Sequence, residues 1–188
     1  MSNYVVSMIE VKNNDKWELL KISNHKNNTE YNHEFNDNYE FIDFLLNREK
    51  NLGYINTDLG VPDDVSQDFK KIYNEYGNNA SIPSYFYLDD LIELSKKLHG
   101  EFIETVEKSA ETYTLKDINW KLDRLLSNIG YHIYDETDDE ELFNSYELKE
   151  KLDVLLMVIK ESSRIQTLIY ALYGDVKLKD IRIMWFIY

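Results

Sequence analysis

Six of the seven residues in the run Asp135-Glu136-Thr137-Asp138-Asp139-Glu140-Glu141 are carboxylates. Such a density admits three chemistries: a cation site, a solvated connector, or a contact surface for a basic partner. The run has neither the glycine nor the alternating ligand positions of an EF-hand loop, so no metal is assigned to it. Asp135, Glu136, Asp138, Asp139, Glu140 and Glu141 are expected to form a solvated connector or to meet a partner. Asp63 and Asp64 are a second carboxylate pair. Neighbours on a helix diverge by roughly 100°, so these two make no catalytic pair by themselves. Behind Pro62 they are expected at a helix N-terminus, where the dipole favours negative charge. The histidines at 25, 33, 99 and 132 lack metal-ligand spacing, and His99 beside Gly100 reads as a helix C-terminal residue. With no cysteine there is no disulfide, thiolate metal site or thiol nucleophile. The six glycines form no phosphate-cradling loop. No catalytic residue, metal or cofactor is assigned.

The charge distribution says more than any motif. The chain holds 35 acids against 21 bases in 188 residues, a formal charge of −14. Nucleic acid is a polyanion whose binders supply Lys and Arg to release counterions, so direct nucleic-acid binding is not expected. Between residues 30 and 68 ten acids, among them Glu40, Asp43, Asp63, Asp64 and Asp68, stand against Arg48 and Lys50 alone. One reading of this excess is solubility; the other is a surface that occupies a basic groove. The amino-terminal stretch has no basic region followed by an apolar core, and the longest apolar run, at 154–159, is far short of a membrane span. A soluble cytoplasmic protein is expected.

The elements that must position these residues follow from apolar periodicity. Two apolar-rich runs at 3–11 and 16–22, joined by Lys-Asn-Asn-Asp, predict a β-hairpin. Residues 23–38 are Asn-rich and read as a long loop or irregular edge. Phe41, Ile42, Leu45 and Leu46 predict a short helix over 39–50. Pro62 is placed in the first turn of a second helix that Gly77 ends, with Val65, Phe69, Ile72 and Tyr76 on its apolar face. Residues 78–84 read as a loop, 87–99 as a helix closed by Gly100, and 101–128 as two further helical pieces. Residues 130–134 predict a short strand. Ser145 reads as the N-cap of a long buried helix over about 146–173, stopped by Gly174. The closing Ile-Arg-Ile-Met-Trp-Phe-Ile predicts a strand covered on both faces. The whole is expected to be a single α+β domain over 1–188: a small, mostly antiparallel sheet that includes both termini, packed against a helical majority.

Three stretches carry a resemblance. The segment from Leu59 through Gly77, the segment from Ala80 through Leu94 and the closing Lys179–Tyr188 resemble a phage- and prophage-encoded family without a settled function. That family shows a Gly-Leu-Pro-Asp-Asp-Val-Ser stretch, a His-Ser-His-Ser-Tyr-Leu loop and a closing Val-Arg-Ile-x-Phe-Trp-Phe-Asp-Asn strand. Matching positions are Pro62, Asp63, Asp64, Val65, Ser66, Ser84, Tyr85, Leu88, Asp180, Arg182, Ile183 and Phe186. The family's loop histidines fall at Ser81 and Pro83, and its final Asp-Asn at Ile187–Tyr188. The resemblance implies a phage accessory protein of the kind that counters host defence.

Charge and resemblance together give the leading expectation: a non-enzymatic, anti-CRISPR-like counter-defence protein. It would act in the cytoplasm of an infected bacterium, its acidic surface occupying a nucleic-acid groove on a host defence complex. The alternative is a binder that sequesters a small signalling nucleotide, for which Arg48, Ser84, Tyr85 and Arg182 are the obvious ligand-binding groups. An enzyme, a hydrolase or ring-opening nuclease, is the third.

Overall fold

The computed structural model describes residues 5–20, 22–24, 29–31, 39–47, 49, 51–108 and 146–188. In chain order its elements are β1 (Val5–Asn13), β2 (Lys16–Leu19), β3 (Ile22–Asn24), β4 (Thr29–Tyr31), α1 (Tyr39–Leu46), α2 (Gln67–Tyr76), β5 (Ser81–Tyr87), α3 (Leu88–Lys108), α4 (Tyr146–Tyr173) and β6 (Ile181–Ile187). Asn14 and Asp15, both at positive φ, turn β1 into β2 as expected; a two-residue turn of this hand matches the twist of the strands it joins. β6 runs antiparallel to β1 from Val5↔Ile187 to Val11↔Ile181, and β5 runs antiparallel to β6. The sheet order is therefore β2-β1-β6-β5, with β3 and β4 paired separately. The fold is α+β, and the first and last strands are the two central ones. Every residue of β6 is buried, as its two apolar faces require.

Three expectations are corrected. Residues 81–87 are a strand, where a loop over 78–84 and a helix from 87 were expected. Ser84 and Phe86 are buried while Tyr85 and Tyr87 are half-buried, the alternation of a pleated strand. The serines and Pro83 hide this pattern, because proline belongs at an edge or a bulge. β5 has both features: it is an edge strand, and one extra residue lies between its pairs Ser81↔Ile187 and Ser84↔Trp185. Secondly, α3 runs straight through Gly100 to Lys108, so His99 is mid-helix and exposed. The stripe Leu91, Leu94, Leu98, Phe102 and Val106, buried throughout, outweighs the roughly 0.5–1 kcal/mol that a helical glycine costs. Thirdly, α2 begins at Gln67 with Ser66 as its N-cap, so Pro62, Asp63 and Asp64 precede the helix and are not in its first turn. Gly77 does end α2, at φ 52°. In α1, Phe41, Phe44 and Leu45 are buried and Leu46 is exposed.

The chain divides into two compact units, Met1–Ile92 with Gln166–Tyr188, and Glu93–Ile165. In the first, Val6, Met8, Leu19, Val65, Phe69, Met184 and Phe186 form one core cluster, which places α2 on the sheet face that these strand residues share. In the second, Leu148, Leu152, Leu155, Val158 and Ile165 form the buried stripe of α4, and the buried Glu161 is paired with Arg164 at 2.8 Å. α4 is unbroken at Ser162 and ends at Gly174, whose N–H reaches the Tyr170 carbonyl. The expected strand at 130–134, the part of the expected helical pieces beyond Lys108 and the Ser145 cap lie outside the described residues.

Candidate functional site

Glu10 and Arg182 face one another across β1 and β6. Arg182 is the one charge in β6 and Glu10 the one carboxylate in β1, whose other charge, Lys12, is exposed; Glu10 and Arg182 are both fully buried. Arg182 Nε and Nη2 donate to Glu10 Oε2 at 3.1 and 2.7 Å, and Nη1 donates to Asp64 Oδ1 at 2.8 Å. The second oxygen of Asp64 accepts from Trp17 Nε1 at 2.8 Å. The second oxygen of Glu10 accepts from the Ser66 backbone N–H at 2.9 Å. Ser66 Oγ in turn accepts from the Phe69 N–H and so caps α2. The guanidinium carbon sits 4.1 Å from the Trp17 ring centroid and 5.6 Å from that of Tyr85, within cation–π range.

These contacts set the ionisation of the group. Burial alone would lower the Arg182 pKa, but the hydrogen bonds to Asp64 and Glu10 raise it above the ordinary value. Asp64 is held below its ordinary value chiefly by its bond to Arg182. Burial opposes that shift, and the Trp17 N–H adds to it. Two carboxylates thus surround one permanent cation. An external anion at Arg182 would have to displace Asp64, whose side chain is 64% exposed. The arrangement acts as a clamp: it fastens the segment before α2 to the central strands.

The clamp brings together some of the candidate residues and separates others. Asp64, Arg182 and Tyr85 meet. Ser84 is opposite Trp185 in the register, on the other face of the sheet from Arg182 and Tyr85, and its hydroxyl donates to the Asn56 carbonyl. Asp63 and Asp68 flank the clamped residues and are exposed, as are Asp43 on α1 and Asp58 in the preceding loop. Glu40 lies in the first turn of α1. Arg48 and the acids Asp135, Glu136, Asp138, Asp139, Glu140 and Glu141 lie outside the described residues. Glu10 and Trp17 were not foreseen. For Glu10 the signal was present: a single carboxylate inside Val-Val-Ser-Met-Ile-Glu-Val demands a partner.

Among the described residues no group of three or more His, Asp or Glu side chains could hold a metal ion, and no helix is long and apolar enough to cross a membrane. No family model, no curated protein and no solved structure matches the chain.

Proposed function

We propose that the protein is a non-enzymatic counter-defence protein of a phage or prophage, anti-CRISPR-like in action. It uses the acidic segment ahead of and along α2 to occupy a basic, nucleic-acid-handling groove of a host defence complex. One observation carries this reading. Asp63 and Asp68 project from either side of residues that Glu10 and Arg182 hold to the sheet. Carboxylates presented on a held backbone meet a partner with less ordering cost than the same charges on a free loop. Complementary charge then raises the on-rate and the specificity against a basic surface.

The test is affinity capture from bacterial lysate at rising salt, with competing nucleic acid in a parallel arm. Captured nucleic-acid-handling protein should be released by the competitor and should fall steeply as the screening length drops from about 10 Å at 0.1 M salt to about 3 Å at 1 M. Asp63→Lys with Asp68→Lys should abolish capture while the protein stays folded, with only a small fall in melting temperature from the lost first-turn charge at Asp68. Asp64 is kept native in this variant because its loss disturbs the clamp. Capture that survives both high salt and charge reversal would reduce the acidity to a solubility device.

A further inference from the structure

Asp64 fills a site whose walls stand without it. Two donors from different strands, Trp17 Nε1 on β2 and Arg182 Nη1 on β6, each reach one of its oxygens at 2.8 Å. Both belong to buried residues, and a carboxylate, with two acceptor oxygens in one plane, answers both at once. Other contacts fix these donors. Glu10 holds Arg182 from the opposite side, and the guanidinium lies 4.1 Å from the Trp17 ring centroid. Asp64 is less firmly placed. It ends residues 56–64, a stretch without helix or strand in which no residue is buried, strung between the buried Ile55 and Val65. Its side chain is 64% exposed, against 0% for Glu10. A second cation stands near: Lys12 Nζ is 6.0 Å from the Trp17 ring centroid, and its own acidic neighbour, Asp15, is 4.0 Å away and fully exposed. With Asp64 swung out, the buried balance is Arg182 against Glu10, and Lys12 tips it toward an anion.

We propose that Trp17 and Arg182 form a binding site for a small carboxylate anion, and that Asp64 is its displaceable internal occupant. One oxygen of the anion accepts from Trp17 Nε1 and the other from Arg182 Nη1, while Asp64 turns out into solvent. Opening leaves the segment attached, because the Ser66 N–H stays on Glu10 and Val65 stays in the apolar cluster. The internal carboxylate is a competitor. An ion pair this exposed favours the closed form by a factor of about five at most, and a ligand that needs the open form binds more weakly by the fraction that is open. The site is separate from the acidic-segment reading: it takes an anion, makes no use of Asp63 or Asp68, and can fail independently.

Full-length protein carrying isotope-labelled tryptophan is titrated with sodium acetate and, in a parallel arm, with sodium chloride at equal ionic strength. The Trp17 indole N–H, assigned by its absence from Trp17→Phe, is followed by NMR. Acetate should move it along a saturable curve in the native protein, and at about fivefold lower concentration in Asp64→Ala. Lys12→Ala should weaken binding in both backgrounds. Acetate should also raise the melting temperature of Asp64→Ala above that in the chloride arm, since an anion that binds only the folded chain stabilises it. The same melts confirm that each variant is folded; if Asp64→Ala does not fold, Asp64→Asn, which keeps the shape and removes the charge, replaces it. Four outcomes would overturn the proposal: a chloride curve equal to the acetate curve, saturation in neither protein, equal acetate affinity in both, or saturation confined to the variant. The last would make Asp64 a fixed strut that no anion displaces.

Discussion

Two patches lie side by side on one face of the sheet, and they hold the same segment by opposite means. In the first, Val6, Met8, Met184 and Phe186 meet Val65 and Phe69 in an apolar cluster, with Phe186 edge-on to Phe69, Tyr73 and Tyr76. In the second, Glu10 and Arg182, the next residues of the same parity along β1 and β6, engage Asp64 and Ser66. Three consecutive residues therefore divide between the patches: Val65 belongs to the apolar one, Asp64 and Ser66 to the charged one. Apolar contacts are non-directional and tolerate repacking if volume is kept. The charged patch accepts only groups that place an acceptor or a donor at set positions. The comparison teaches a division of labour: the first patch supplies burial, and the second decides which backbone lies over the sheet and in what register.

The comparison breaks or holds first at Arg182. Arg182→Ala leaves Glu10 buried without its partner and should cost about 3–5 kcal/mol of stability, read from urea unfolding. Replacing the pair together, Glu10→Leu with Arg182→Met, should restore most of that loss, because a well-packed apolar pair is often as stable as a buried ion pair. The double variant should nonetheless lose protection from hydrogen exchange at Val65 and Ser66. If it keeps native protection there, the charged patch is only another source of burial, and the contrast with its neighbour disappears.

Val65→Ala tests the apolar half of the same segment. Two buried methyl groups at about 0.8 kcal/mol each, with a small cavity term, give an expected loss of about 2 kcal/mol. The Ser66 N–H should stay protected, since its acceptor on Glu10 is untouched. Loss of protection at both residues would mean that the two patches act as one cooperative unit.

Much of the architecture was legible because it rests on local signals. The Asn14–Asp15 turn, the two-faced burial of β6 and the stop at Gly174 each follow from residues within one element. β5 was missed because a bulge and Pro83 interrupt its alternation, and α3 was cut short because a glycine signal outweighed a stripe that resumes at Phe102. The site was only half legible. Asp64 and Arg182 were singled out, but for separate roles, as a partner-facing carboxylate and as a ligand-binding cation. The bond from Arg182 to Glu10 spans 172 positions, and no periodicity reports a contact that depends on which strands become neighbours. Two isolated charges of opposite sign, each in a strand-length apolar run, were the only trace of it. That trace becomes a contact once β1 and β6 are known to pair.

The smallest expected effect separates the two carboxylates of the charged patch. Asp64 has a folded-state pKa below its ordinary value of 3.8 because Arg182 and Trp17 donate to its ionised form. A carboxylate lowered in this way contributes stability that is complete above its unfolded pKa and is lost as the pH falls through the lower, folded one. With its side chain 64% exposed, solvent screens the pair, and its contribution at neutral pH should stay under about 1 kcal/mol. Asp64→Asn should therefore destabilise the protein slightly at pH 7. The gap between variant and wild type should close as the pH drops below 3.8, while both chains still share every other acid-sensitive group. Urea midpoints measured across that range give the curve directly. A gap that stays constant down to the lowest accessible pH would show that Asp64 contributes through its shape and not through the bonds its ionised form accepts from Arg182 and Trp17. A gap as large as that of Arg182→Ala would show that the segment hangs on Asp64 and not on the buried pair beneath it.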